Sequence, residues 1–142
     1  IIIEKNGKEC NCGKRGCWEK YASMKAFKDN LRKALNLDEK TSGKELLDII
    51  RKNNPNNEKY SKINKIIDEY IEYLSIGISN LVNIFEPEAI GIGGSFVFYE
   101  EVFLEKLKRR ILKGNLLFND RKEIIIQTAI LNNDAGIIGA TL

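Results

Sequence analysis

The 142-residue chain is long enough for one domain with a buried core, since 43% of its residues are hydrophobic. Its formal net charge of +3 is too small to indicate nucleic-acid binding by itself, and its hydrophobic content argues against intrinsic disorder. Charged residues interrupt every apolar stretch, which argues against a membrane-spanning helix. The chain starts with three isoleucines instead of a methionine, and we therefore expect a fragment of a longer protein.

The first third of the chain is predicted to contain a strand, a cysteine-rich turn and a helix. Residues 1–3 have strand character, and Asn6-Gly7 marks a turn. The stretch CNCGKRGC comes next, and it holds every cysteine of the chain. From Trp18 to Leu35, large apolar residues recur at steps of three and four, which predicts one face of a helix.

The middle of the chain is predicted to be helical. Ser42 and Glu45 have the spacing of a capping box, which indicates a helix start. The longest apolar stripe predicts a helix over residues 59–85, ended by Pro87. Gly77 lies inside this helix and suggests close packing against another backbone.

The last third alternates between strands and helices. Residues 88–95 are predicted to form a strand that runs into glycines, and residues 99–114 an amphipathic helix. The segment KEIIIQTAI predicts a second, buried strand. Asn133 or Asp134 is predicted to cap a final helix that contains Gly136 and Gly139. This order indicates an α/β fold with parallel strands.

Residues 8–19, which we call the cysteine turn, have the composition of a metal site. Cys10, Cys12 and Cys17 place three thiols on a tight loop with two glycines, as tetrahedral zinc requires. The alternative is three free thiols without a metal. Glu9 or Glu19 is a possible fourth ligand, although histidine is commoner, and this chain has none. An odd number of thiols fits a reduced, cytoplasmic protein better than a disulfide framework.

Three stretches make the chain resemble the ROK family of repressors and sugar kinases. NGKECNCGKRGCWEKYAS (6–23) is similar to the zinc signature of that family, NIFEPEAIGIGGS (83–95) to its nucleotide-site strand, and ILNNDAGIIGATL (130–142) to its carboxyl-terminal end. The resemblance covers nearly the whole chain. It implies that residues 1–142 form the carboxyl-terminal domain of an actin-like, ribonuclease H-like ATPase fold.

The resemblance also implies roles for individual residues. Glu19 would bind sugar hydroxyls, and Gly93, Gly94 and Ser95 would contact ATP, although the family usually has glycine where Ser95 stands. Structural Zn²⁺, ATP and Mg²⁺ would be the cofactors. A histidine that completes the zinc site, and the catalytic aspartate, would lie upstream of Ile1 in an amino-terminal domain, so this chain alone is expected to be inactive.

The cysteine turn is most similar to that of bacterial glucokinases and of some xylose-type repressors, and the stretch NIFEPEAIGIGG resembles the glucokinases more. The resemblance therefore implies glucose phosphorylation, and membership of the family implies a homodimer. The first alternative is a sugar-responsive repressor of the same family, which would bind nucleic acid. The second is a zinc-knuckle nucleic-acid module, which the apolar positions of the aromatic residues disfavour. From the residues alone, Glu19 reads as a solvated helix start and the glycines read equally as a tight turn.

Overall fold

The computed structural model describes residues 1–112 and 124–129, and the chain divides into two compact units, Ile1–Gly77 and Ile78–Leu142. In chain order the elements are α1 (Glu19–Ala22), α2 (Met24–Ala34), α3 (Gly43–Arg51), α4 (Tyr60–Phe85), β1 (Ala89–Ile92), a 3₁₀ helix (Gly94–Tyr99), α5 (Glu100–Leu112) and β2 (Ile125–Thr128). Within these described ranges, no helix has the length and apolarity needed to cross a membrane.

The predicted helix after the cysteine turn is two helices, because Ser23 interrupts it. Ser23 has an extended backbone with ψ 152°, and its hydroxyl accepts a hydrogen bond from the backbone N–H of Ala26 at 3.2 Å. Serine is a favoured N-cap because its side chain satisfies a free N–H at a helix start. The apolar residues keep their spacing of three and four across this break, so the sequence pattern did not reveal it.

The capping box at the start of α3 is confirmed. The Ser42 hydroxyl accepts from the backbone N–H of Glu45 at 3.2 Å, and the Glu45 carboxylate accepts from the backbone N–H of Ser42 at 2.7 Å. The second bond favours the charged form of the acid, so the Ser42 amide lowers the pKa of Glu45. The start of α3 is thus fixed by two reciprocal bonds.

The long helix α4 is confirmed to within one residue of its predicted start. It supplies much of the apolar core of the first unit, where helices α2 and α3 also bury their stripes. The buried apolar side chains of this unit are Tyr21, Phe27, Leu31, Leu35, Leu46, Leu47, Ile50, Ile63, Ile67, Tyr70, Ile71 and Leu74. The expectation that Gly77 meets another backbone is wrong, because the group that lies against it is the indole ring of Trp18.

The predicted parallel strands are confirmed in the second unit. Strand β1 pairs with β2 in parallel, with Ala89 opposite Ile125 and Ile92 opposite Thr128. The 3₁₀ helix and α5 lie between the two strands in the chain, and α5 contacts β2. Phe103 packs between Phe96 and Tyr99, with ring centroids 5.5 Å apart in both pairs. This aromatic cluster is buried and forms part of the core of the unit.

The second strand is not buried on both faces as its sequence suggested. Ile126 is 4% exposed, whereas its neighbour Ile125 is 57% exposed. Successive side chains of a strand point to opposite faces, so among the described residues only one face of this strand pair is covered. Three consecutive isoleucines concealed this alternation in the sequence.

The strand predicted at residues 1–3 is wrong. Among the described residues, the ladder contact there is a single antiparallel bridge between Ile2 and Cys17, supported by a bond from the Trp18 N–H to the Ile1 carbonyl at 2.8 Å. Beyond Cys17 the pairing does not extend because α1 begins at Glu19. The expected final helix, with Asn133, Asp134, Gly136 and Gly139, lies outside the described residues, as does the end of the helix predicted at 99–114.

Replacing Ser42 by alanine should lower the free energy of unfolding by about 1 kcal/mol, because the backbone N–H of Glu45 then loses its cap. Urea unfolding followed by circular dichroism measures this change. Ser61→Ala, at an exposed position of α4, is the matched control and should leave the midpoint unlowered. An equal loss in both variants would contradict the assignment of the cap.

Candidate metal centre

The cysteine turn is a short antiparallel hairpin. The Gly16 N–H donates to the Lys8 carbonyl at 2.8 Å, and the Cys10 N–H donates to the Lys14 carbonyl at 2.8 Å. At the tip, the Gly13 N–H donates to the Cys10 carbonyl at 3.0 Å, which closes a four-residue turn. These bonds bring Cys10 and Cys12 to the same end of the hairpin.

Two glycines permit this path. Gly13 has φ 82° and Gly16 has φ 74°, in the left-handed region where residues with a Cβ atom are strained. A side chain at Gly16 would also overlap with the backbone carbonyl of Glu4, whereas one at Gly13 would meet nothing. Gly16 therefore serves both conformation and close approach, and it directs the chain into Cys17.

The three sulfur atoms are brought together as the sequence predicted. The Sγ atoms of Cys10, Cys12 and Cys17 lie within 4.8 Å of one another, and those of Cys12 and Cys17 are 3.5 Å apart. Cys12 is exposed, and the other two are half-buried. A tetrahedral ion with metal–sulfur bonds of about 2.3 Å separates its ligands by roughly 3.8 Å. The cluster thus has the dimensions of three corners of a tetrahedral site and could hold a metal ion.

The thiols differ in acidity because they share protons. A hydrogen bond with the Cys12 thiol, reinforced by Cys10, raises the pKa of Cys17 to about 11. The backbone N–H of Lys14 stabilises the Cys12 thiolate, and together with the neighbouring thiols it lowers the pKa of Cys12. Three thiols at this separation therefore cannot all lose their protons easily unless a cation compensates their charge.

Neither carboxylate considered as a fourth ligand belongs to this cluster. Glu9 is exposed, and its carboxylate forms an ion pair with Arg15 at 2.7 Å across the hairpin. Glu19 is the first residue of α1, two positions after Cys17, and its side chain is exposed. Within residues 1–112 and 124–129, the Glu19 carboxylate has no hydrogen-bond or ion-pair partner, so it is available to a ligand.

Two aromatic residues anchor the cysteine turn to the helices of the first unit. The hydroxyl of buried Tyr21 accepts a bond from the Lys8 N–H at 2.7 Å, and its ring lies 4.7 Å from that of Tyr73. The indole N–H of Trp18 donates to the backbone carbonyl of Tyr73 at 2.8 Å. The sequence placed Trp18 and Tyr21 on an apolar stripe only. Their polar contacts were missed because the partners lie 55 and 13 residues away.

The predicted nucleotide stretch lies in the second unit. Gly93 has extended backbone and precedes the 3₁₀ helix, whereas Gly94 has φ 67°. A Cβ atom at Gly94 would meet no atom of residues 1–112 or 124–129 within 4 Å, so this turn is not packed against the described part of the chain. Gly93 and Ser95 are exposed. The turn therefore has the accessibility that an approaching ligand needs.

A parallel strand pair, a long helix and a three-thiol cluster define an α/β protein with a candidate metal centre. The family model described as "ROK family" matches residues 1–142, and the chain belongs to this family. The fold is that of the ROK sugar kinases. A ROK glucokinase from Streptomyces griseus, solved in complex with glucose and AMPPNP, is similar with a TM-score of 0.76 and 25% identity over 99% of this chain and 48% of its own.

Relatives of two kinds resemble the chain to a similar degree. The xylose repressor of Bacillus spizizenii is 31% identical over 111 residues, which is 78% of this chain and 27% of the repressor. The glucokinase of Thermotoga maritima is 28% identical over 153 residues, which is 99% of this chain and 46% of the glucokinase. The chain thus spans less than half of either relative, and family membership by itself does not separate a kinase from a repressor.

We expect the reduced chain to bind one thiophilic divalent ion. Replacing Cys10, Cys12 or Cys17 by serine should each weaken Co²⁺ binding by at least about tenfold, since even outer-shell changes at metal sites cost that much. Titration of the cobalt–thiolate absorption band measures the affinity. Asn11→Ala is the control, because Asn11 lies between two of the cysteines and its side chain accepts a hydrogen bond from Lys20. Three cysteine variants with unchanged affinity would contradict a shared ion.

Proposed function

We propose that this chain is the carboxyl-terminal part of an ATP-dependent sugar kinase whose preferred sugar is glucose. The observation that carries the proposal is the position of Glu19, an unpartnered carboxylate within the described residues, two positions beyond the last cysteine of a three-thiol cluster. Similarity to glucokinases over 99% of the chain supports the same assignment.

The proposed ion in the cysteine turn is a structural Zn²⁺ held by Cys10, Cys12 and Cys17. The donor set fits, because zinc prefers thiolates and the sulfur separations match a tetrahedron. A fourth ligand would come from outside this cluster, and we propose a histidine upstream of Ile1. The bound ion would supply charge compensation for three thiolates and would hold the hairpin tip closed.

Glu19 is proposed to accept hydrogen bonds from sugar hydroxyl groups. Hydrogen bonds to a charged acceptor are stronger than neutral ones, and an acceptor with a fixed direction rejects analogues that lack the hydroxyl. The short helix α1 begins at Glu19, which is the last residue of the cysteine turn, so the turn determines where the carboxylate lies. The glucose bound in the Streptomyces griseus glucokinase is the model for the ligand.

Gly93, Gly94 and Ser95 are proposed to contact ATP, which would bind with Mg²⁺. The positive φ of Gly94 and the absence of described residues packed against it would let a nucleotide approach the backbone closely. The proton acceptor for the sugar hydroxyl is proposed to lie outside these 142 residues. The complete protein would be a cytoplasmic homodimer. This chain alone would bind its ligands without catalysing phosphoryl transfer.

A sugar-responsive repressor of the same family is the second candidate, and the identity to the xylose repressor favours it. The two functions differ in the event that sugar binding triggers. A kinase consumes ATP only when sugar is present, whereas a repressor changes its affinity for DNA and consumes none.

Purified complete gene product should consume ATP when glucose is added, and the 142-residue chain alone should not. A coupled assay for ADP with a panel of hexoses and pentoses measures both. If sugar instead released the gene product from DNA without ATP consumption, the protein would be the repressor and not the kinase. Rapid turnover by the 142-residue chain would show that the catalytic base had been wrongly placed outside it.

Glu19→Gln should raise the KM for sugar roughly 10- to 100-fold, because a charge-assisted hydrogen bond contributes about 1.5–3 kcal/mol. Steady-state kinetics of the complete gene product measure this change. Glu39→Gln removes an equivalent exposed carboxylate and is the control. A KM for sugar that responds equally to both substitutions, or to neither, would exclude Glu19 from sugar binding.

A further inference from the structure

Trp18 separates the last cysteine of the cluster from Glu19, and its contacts reach far from both. Its backbone N–H donates to the Ile1 carbonyl at 2.8 Å, and its own carbonyl accepts from the N–H of Ala22 at 2.9 Å. Its indole N–H donates to the Tyr73 carbonyl in α4 at 2.8 Å. The residue that carries the chain from the thiols to the carboxylate is therefore fixed by both backbone and side chain.

The contact with α4 depends on a missing side chain. Gly77 is buried, and a Cβ atom built on it would overlap with Cε2, Cζ2 and Cδ2 of the Trp18 indole. No left-handed conformation explains this glycine, because its φ is not positive. Alanine is the better helix former, so helix propensity also argues against glycine here. The need to leave space for the indole therefore explains the glycine at position 77.

The hydrogen bond from the Trp18 indole to the Tyr73 carbonyl depends on the absence of a side chain at Gly77. Tyr73 and Gly77 are four residues apart, so the Tyr73 carbonyl is the helical acceptor for the Gly77 N–H and has a second lone pair. In a helix, Cα–Cβ bonds tilt toward the amino terminus, which places a side chain at 77 beside the carbonyl of 73. Without a Cβ atom at Gly77, that carbonyl is open to the indole N–H.

We propose that Trp18 and Gly77 act as a positioning pair that fixes the direction in which Glu19 presents its carboxylate to a sugar. The inference rests on the proposed function of Glu19 and adds two residues that do not touch the sugar. Glu19 follows Trp18 directly, and α1 is only four residues long, so a shift of the indole moves the start of that helix.

The test is Gly77→Ala in the complete gene product. The KM for sugar should rise about ten- to a hundred-fold with kcat nearly unchanged, as for Glu19→Gln, because a misdirected carboxylate loses its charge-assisted hydrogen bond to the sugar. Asn80→Ala, on an exposed part of the same helix, is the control and should leave KM unchanged. A variant with normal KM, or with kcat reduced and KM unchanged, overturns the proposal.

A double-mutant cycle with Trp18→Ala separates positioning from stability. Alanine at position 18 removes the whole indole, including the Cδ2, Cε2 and Cζ2 atoms that a Cβ atom at position 77 would overlap, so it should raise KM by itself and leave room for alanine at position 77. The double variant should then have a KM no higher than that of Trp18→Ala alone. A double variant whose KM rises by the product of the two single-variant increases would overturn the proposal. This comparison holds even if one single variant folds poorly.

Fluorescence supplies a readout that does not depend on catalysis. Trp18 is the single tryptophan of the chain, so its emission reports this contact directly. Gly77→Ala should shift the emission of the 142-residue chain to longer wavelength, because the indole is displaced toward water. Unchanged emission overturns the proposal. A wild-type gene product that neither binds nor phosphorylates sugar removes the proposed function instead, and with it the positioning role.

Discussion

The indole of Trp18 is the contact on which the cysteine turn depends, because it joins this exposed hairpin to the longest helix among the described residues. A short two-stranded hairpin is marginal in water by itself. Here the hydrogen bond to the Tyr73 carbonyl, the space at Gly77 and the bond from Lys8 to Tyr21 tie it to buried side chains. The thiols can therefore stay exposed enough to take a metal while their backbone is held by a core.

The positions that allow this arrangement are glycines with different physical roles. Gly16 has a left-handed backbone and also lies against the Glu4 carbonyl, so both conformation and space exclude other residues. Gly77 has an ordinary helical backbone, and its role is to leave space for the indole of Trp18. Gly94 has a left-handed backbone, and no described residue lies within 4 Å of a Cβ atom built there, so its role is conformational. Composition alone does not distinguish these roles.

Local patterns predicted much of the fold. The capping box at Ser42, the long stripe of α4 and the parallel strands were readable because each depends on residues a few positions apart. The cysteine cluster was readable for the same reason. The break at Ser23 was hidden because the apolar period continues through it, and the one-sided exposure of β2 was hidden by a run of identical isoleucines. Contacts of Trp18 with α4 span more than fifty residues and leave no local signal.

Kinases and repressors resemble the chain to a similar degree, and the contents of the first unit offer a reason. The first unit carries the thiols, Glu19 and the contacts of Trp18, and in the proposed function this set would serve sugar recognition in either class. Phosphoryl transfer also needs a base, and DNA binding needs a separate reading element. Nothing in the packing around Trp18 favours one outcome, because fixing a carboxylate toward a sugar is equally useful for turnover and for sensing. In the proposed function, the constraint on the first unit is therefore recognition of a sugar, which a kinase and a repressor both require.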